Sequence, residues 1–478
     1  MAVRWLGTMV GPTVALLCGV GAVWAADDGA GPGPQAQSEA AEQEGPEVLM
    51  RGPIHEAFAT QIDFGAKPGP VVPRKPPEPV EEVPPEVRPE GEEIVWIPGY
   101  WAWDEEREDF VWVSGVWRKA PPGRRWLPGY WEEADGGYRW ISGAWVPAES
   151  DRITYRPPPR ESLERGPTSP RPSDDHFWVP GCWIYYADCS CYRWRPGYWA
   201  PCQPGWVWVP AYYVWTPTGV IYVHGYWDYL LVRRGVLCPP VYFYRPIYLR
   251  PGYRLVHHVV IDTPRLLVHL FVHPRWRHYY FGDYYGPVYA RRGFYPWFRF
   301  HAGHHGYDPL WPHYVWRNRR AGVDLPSRLE RWHQYFAARP EARPPHTFQQ
   351  LRAVGRARPG SPAASLARLG RPATELAARH PSRRLIRLSA DQRDRVTAAS
   401  RQYRAIAAKR SGVERGLGLP ARAAGPNVAG QGASRSLTLP RLDRRAHLGS
   451  TVQGFGRQAR RAPTSGLDSF GSHAPAAG

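Results

Sequence analysis

No serine lies between Ser190 and Ser327, so more than a quarter of this chain offers no serine nucleophile. Acids are as scarce in 241–320, where only Asp262, Asp283 and Asp308 occur. A paired-carboxylate glycosidase would have few residues to choose from there. No phosphate loop, dinucleotide fingerprint or helical zinc-protease signature is present. These absences argue against an enzyme, and no cofactor is implied. Long apolar runs are also missing after the first 25 residues. A membrane-crossing helix needs about 20 apolar residues, so the sequence predicts no span in the mature chain. Methionine occurs only three times in 478 residues.

Proline and tryptophan are in excess. The 54 prolines are roughly double ordinary usage. They exclude one continuous helical or parallel α/β body and predict short strands, turns and linkers. The net charge of +18 is unevenly spread. Residues 27–110 hold 20 acids and 6 bases, whereas 241–478 hold 40 bases and 12 acids. An acidic head and a basic tail point to polyanion contact or to a solvated arginine-rich tail. Arginine without a recognised motif or interleaved aromatics excludes sequence-specific nucleic-acid readout.

The N-terminus reads as a secretory signal over 1–25. Arg4 precedes an apolar stretch from Met9 to Val23, and Val23-Trp24-Ala25 suits cleavage after Ala25. Export permits disulfides. Five cysteines remain after Cys18: Cys182, Cys189, Cys191, Cys202 and Cys238. An odd count leaves at least one outside an intramolecular bridge.

Seventeen of the 24 tryptophans lie between Trp96 and Trp227. They follow one word, Trp-x-x-Gly-x-Trp. It begins at Trp96, Trp112, Trp126 and Trp140, and again at Trp178 and Trp194. Two decayed copies follow, Trp208-Val-Pro-Ala-Tyr-Tyr213 and Tyr222-Val-His-Gly-Tyr-Trp227. The second four sit 82 residues after the first four, so a four-word block is duplicated.

Each word reads as a short aromatic strand. Consecutive words then form an antiparallel meander. An Asp135-Gly136 turn places Trp131 opposite Trp140 and Trp126 opposite Trp145. The same symmetry across the other connections gives two aromatic rows. One is Trp96, Trp117, Trp126, Trp145; the other is Trp101, Trp112, Trp131, Trp140. A proline in mid-strand predicts a bulge or an interrupted ladder at each Pro-Gly. Glycine lets a ring from the next strand lie over the backbone. The rows serve either as packing or as a platform for sugars. In such a meander Cys202 and Cys238 emerge at one end, and Cys202–Cys238 is the predicted disulfide. Cys182 with Cys189 or Cys191 is the other candidate.

The word resembles the YXWGXW (WXXGXW) repeat of secreted bacterial proteins, over about 94–232. Arg51-Gly-Pro-Ile-His-Glu-Ala-Phe58 and Tyr279-Tyr-Phe-Gly-Asp-Tyr-Tyr285 resemble flanks of longer members. The resemblance implies export and an envelope setting, and implies no catalytic residues.

The predicted organisation is mainly β. An acidic proline-rich linker (26–93) follows the signal. Two four-stranded meanders (94–147 and 176–232) flank a proline-rich linker (148–175). A Tyr/His/Arg-rich extension (233–322), a helical basic region (323–411) and a disordered basic tail (412–478) complete the chain. Helices are expected over 325–338 and from Ser389 to about Lys409, the latter opened by a Ser389/Gln392 capping box. Nine of 17 histidines lie in 241–320, at 257, 258, 269, 273, 278, 301, 304, 305 and 313, and are candidate metal ligands. The functional expectation is an exported, non-enzymatic envelope structural or interaction module. Binding of envelope polysaccharide or another polyanion, and metal binding, are the alternatives.

Overall fold

Pairing of words is local. The computed structural model describes residues 45–416 apart from 63, 303–306, 358–361 and 380–384, together with 436–440. The signal and most of the tail lie outside the described residues. The described chain is mostly antiparallel strands with a few helices.

Every two words make one hairpin. The first runs through Ile94–Ile97 and Tyr100–Asp104 and returns through Asp109–Val113 and Val116–Lys119. Trp96 faces Trp117 and Trp101 faces Trp112. The second hairpin sets Trp126 against Trp145 and Trp131 against Trp140. The third sets Trp178 against Trp199 and Trp183 against Trp194. The fourth sets Trp208 against Trp227 and Tyr213 against Tyr222. The ladder breaks at the third and fourth positions of each word and resumes in the same register. No residue is added, so each break is an interruption and not a bulge. Alternation then turns residues five apart to opposite faces. Accordingly, Trp96 and Trp117 join one core cluster, and Trp101 and Trp112 another.

The expected four-stranded meanders do not form. Trp117 and Trp126 are not on neighbouring strands; Trp117 has Val236 on its other side. The links between hairpins carry Pro121-Pro122 and Pro204, which cannot donate to a ladder. The open edges are filled by segments read as linkers. Val71–Val72 pairs with the second hairpin, and Arg152–Arg156 pairs with the fourth. Ser436–Thr438, inside the expected disordered tail, adds to Arg152–Arg156. Leu437 is buried there, so apolar burial fixes this piece despite its basic surroundings.

Glycine in the word is a steric requirement. A Cβ on Gly115 would lie 2.5 Å from Trp96 Cζ2, and one on Gly143 would lie 2.3 Å from Trp126 Cζ2. Gly99, Gly129, Gly181, Gly197 and Gly225 receive Trp112, Trp140, Trp194, Trp178 and Trp208 in the same way. The first tryptophan of each word therefore lies over the glycine of its partner. The exception supports the rule. Where the word carries Ala211, the partner word begins with Tyr222, a smaller ring.

The flanking motifs knot the fold. Gly52-Pro53 pairs with Tyr280-Phe281, and the Arg51 guanidinium sits over the Tyr284 and Tyr289 rings at 4.5 and 4.9 Å. Arg118 of the first hairpin reaches Asp228 of the fourth at 2.6 Å, and Arg234 joins them at 3.0 Å. All three are buried.

Two helices fall where the sequence places them. Leu325–Ala338 matches its expected bounds. Ala390–Gly416 starts at the expected capping box: Ser389 N donates to Gln392 Oε1, and Gln392 N to Ser389 Oγ. The second runs past the expected end because Arg410 and Glu414 enter the core. Tyr130 and Tyr155 both donate hydroxyl hydrogen bonds to Glu414. Other arginines of this helix hold the acidic N-terminal segment. Arg401 pairs with Glu81, Arg404 donates to Val80 O, and Arg393 donates to Pro84 O. Part of the charge asymmetry is thus satisfied within the chain.

Candidate functional site: glutamate clasps at the hairpin waists

Interrupting the ladder frees backbone N–H groups at each waist, and a buried donor needs an acceptor. In the first hairpin that acceptor is Glu82. Its Oε2 accepts from Gly99 N at 2.6 Å; its Oε1 accepts from Gly115 N at 2.8 Å and Trp112 Nε1 at 2.9 Å. His257 Nε2 hydrogen-bonds the same Oε1 at 2.8 Å. In the second hairpin, Glu56 accepts from Gly143 N at 2.8 Å and Trp140 Nε1 at 3.3 Å. In the third, Glu164 accepts from Trp178 Nε1 at 3.0 Å and from Gly181 N.

The three sites share one rule. The first tryptophan and the glycine of a single word, spaced Trp-x-x-Gly, donate to the same carboxylate. Hydrogen bonds to a charged acceptor are roughly twice as strong as neutral ones. The fourth hairpin breaks the rule, having Ala211 in one word and Tyr222 in the other. There Trp208 Nε1 and Trp227 Nε1 are buried with no hydrogen-bond partner among the described residues, as are Trp96 Nε1 and Trp117 Nε1 of the first hairpin.

The partners of Glu82 and Glu56 set those two acids apart. Burial alone would raise the Glu82 carboxyl. The His257 contact and the two glycine N–H groups outweigh burial and hold it below the ordinary range. Glu56 has fewer donors, and burial pushes it up to about 7.

The clasping glutamates come from segments read as linkers, and those segments also accept indole hydrogen bonds through their carbonyls. Trp101 Nε1 donates to Glu78 O, and Trp145 Nε1 to Ala57 O. Trp183 and Trp199 donate to Glu161 O and Ser169 O. Nothing in composition singled out Glu56, Glu82 or Glu164. The local signals are a Pro-x-x-Glu spacing at Pro53 and Pro79 and, for Glu56, its place inside the Arg51–Phe58 flank motif; Glu164 has neither.

Of the first predicted row, Trp96, Trp117, Trp126 and Trp145 are at most 4% exposed. In the second row Trp101 and Trp112 are buried, while Trp131 and Trp140 are half-buried. Neither is a flat exposed platform. The predicted Cys202–Cys238 bridge is absent: both remain thiols, and Cys189 pairs with Cys191 across an exposed hairpin tip. With the meander replaced by separate hairpins, the reason for placing Cys202 beside Cys238 disappears. Burial pushes the Cys202 thiol up to about 11.

The candidate metal ligands disperse. His257 serves Glu82, His269 meets the Tyr285 hydroxyl, and His278 bridges Tyr100 and Trp276. His273 faces Glu105 at 3.6 Å. His313 packs on Trp316, and His258 is an exposed residue beside its own strand. The side chains of His301, His304 and His305 lie outside the described residues. Among the described residues no three His, Cys, Asp or Glu side chains gather as a metal site. No described helix is long and apolar enough to cross a membrane.

Taken together, this is a β-rich repeat protein built from tryptophan hairpins that clasp carboxylates. Residues 95–118, 125–146 and 192–201 match the model of the WXXGXW repeat. No curated protein and no solved structure matches it.

Proposed function

We propose that this chain is an exported, non-catalytic structural or interaction module of the cell envelope. One observation carries the reading: three of the four hairpins grip a glutamate supplied by a segment outside the repeat. The repeat's polar groups therefore hold polypeptide, and its rings pack the core. The N-terminal signal pattern supports export, and the scarcity of nucleophiles and paired acids supports a non-catalytic role.

Glycan binding is the second reading. The half-buried rings of Trp131 and Trp140, which line a shallow cleft of about 30 Å³ with Tyr100, Trp103 and Trp276, favour it.

The test is retention of the whole chain, and of a chain ending at Pro440, on cell-envelope fractions and on glycan columns. Removing everything from Ser389 would strip Arg410 and Glu414 from the core, so the shorter cut is the informative one. Both forms should be retained by envelope fractions. Loss in the shorter form would move the activity to the tail, and retention by neither would overturn the proposal.

A further inference from the structure

The three clasps use the same donors but differ in what surrounds them. Glu82 and Glu56 are 2% and 3% exposed. The segment carrying Glu82 is also anchored by Val80 and Val83, both buried. Glu164 is different. It lies half-buried on a strap, residues 157–171, without regular secondary structure. The strap's one large apolar side chain, Leu163, is 56% exposed. Beneath it, Trp178, Trp183, Trp194 and Trp199 are all half-buried.

Five hydrogen bonds run from the third hairpin to the strap, and a sixth runs the other way at the strap's end, from Arg171 Nε to His176 O at 2.9 Å. Tyr192 Oη donates to Pro157 O, Trp183 Nε1 to Glu161 O at 3.0 Å, and Trp199 Nε1 to Ser169 O at 3.1 Å. Trp178 Nε1 and Gly181 N donate to the Glu164 carboxylate. In all five the hairpin donates and the strap accepts. None of these five uses a strap N–H group, and within the strap Gly166 N donates to Glu164 Oε1 at 2.7 Å. A proline-rich chain has carbonyls and few N–H groups, and it stays extended with little conformational entropy to lose. One glutamate then fixes its register.

We propose that the third hairpin is an exchangeable peptide-binding site, with the strap as its internal ligand. The partner it fits is an extended, proline-flanked peptide carrying a glutamate. It would seat its carboxylate on Trp178 Nε1 and Gly181 N and its carbonyls on Trp183 and Trp199. The first two hairpins hold the same chemistry permanently, because their segments are buried by apolar neighbours. This rests on the interaction-module reading and names the partner class for one site.

The probe is a fluorescent peptide of residues 157–171, titrated into the full chain. The receptor variant is Glu164→Gln, which weakens the internal strap. A second variant, Pro158→Gly with Pro159→Gly, loosens the strap at one exposed and one half-buried position without touching the clasp. Both should bind the probe at least tenfold tighter than the unmodified chain. A probe with glutamine at the position of Glu164 should bind at least tenfold more weakly. Hydrogen exchange should show Gly181 N–H opening faster than Gly115 and Gly143 N–H. Equal affinity for both probes, or no gain in either variant, overturns the proposal. Probe binding without retention on envelope fractions would leave this site standing and remove the envelope role.

Discussion

The pairing of Ala211 with Tyr222 invites a designed copy on the other side of the same hairpin. A Cβ on Gly225 would lie 2.5, 3.1 and 3.3 Å from three atoms of the Trp208 indole, and its nearest contacts include no backbone atom. The clash in Gly225→Ala is therefore with one side chain. Overpacking of this kind costs about 1–3 kcal/mol. Trp208→Phe removes ring volume from a residue 3% exposed, and its Nε1 has no partner to lose. That truncation costs on the order of 1–2 kcal/mol from lost contacts and a small cavity. Together the new methyl fills the space the indole vacates. The double variant should be more stable than the sum of the two losses by about 1–2 kcal/mol, within the range for touching residues. Urea unfolding followed by circular dichroism supplies the four corners of the cycle. Additivity to within about 0.5 kcal/mol would refute the ring-over-glycine rule. Gly412→Ala is the control, since nothing lies within 4 Å of its Cβ position, and helix propensity should make it slightly stabilising.

Three further outcomes follow from the buried charges and thiols. Asp228→Asn leaves Arg118 and Arg234 buried without their carboxylate and should cost about 3–5 kcal/mol in a urea melt; a loss below about 1 kcal/mol would contradict the arrangement. Glu56 and Glu82 should respond to pH with opposite sign. Glu56 titrates higher folded than unfolded, so its contribution is present at low pH and lost as pH rises from the ordinary carboxylate range toward about 7. Glu82 titrates lower folded, so its contribution is present above the ordinary value and lost as pH falls through its depressed one. Glu56→Gln should thus gain on the unmodified chain between pH 5 and pH 8 in unfolding midpoint, and Glu82→Gln should not. Mass mapping after alkylation should find Cys189 joined to Cys191 and Cys202 slow to react; a Cys202–Cys238 peptide pair would refute this.

Much of the hairpin geometry is readable from spacing alone. The Asp135-Gly136 turn places Trp131 against Trp140, and no distant residue is needed for that result. A disturbed ladder follows from proline and glycine at fixed places in the word, and the unchanged register on either side shows it to be an interruption instead of a bulge. The helix at 325–338 and the Ser389/Gln392 box are equally local. Which neighbour lies beside a hairpin's outer strand is not local. Trp117 meets Val236, more than 100 residues away, and proline in the intervening link blocks the nearer choice. The clasps were hidden for the same reason: Glu56, Glu82 and Glu164 sit in proline-rich stretches whose composition reads as linker.

The sequence by itself determined the strand words, their duplication, the aromatic pairing within each hairpin and the need for glycine at its waist. These depend on contacts between residues close along the chain and on backbone sterics. Only the tertiary structure decided that the hairpins stand apart, that the acidic segments strap across them, and that Arg410 and Glu414 are buried. Those outcomes depend on which distant acceptor satisfies donors that an interrupted ladder leaves open, and that choice is made by packing.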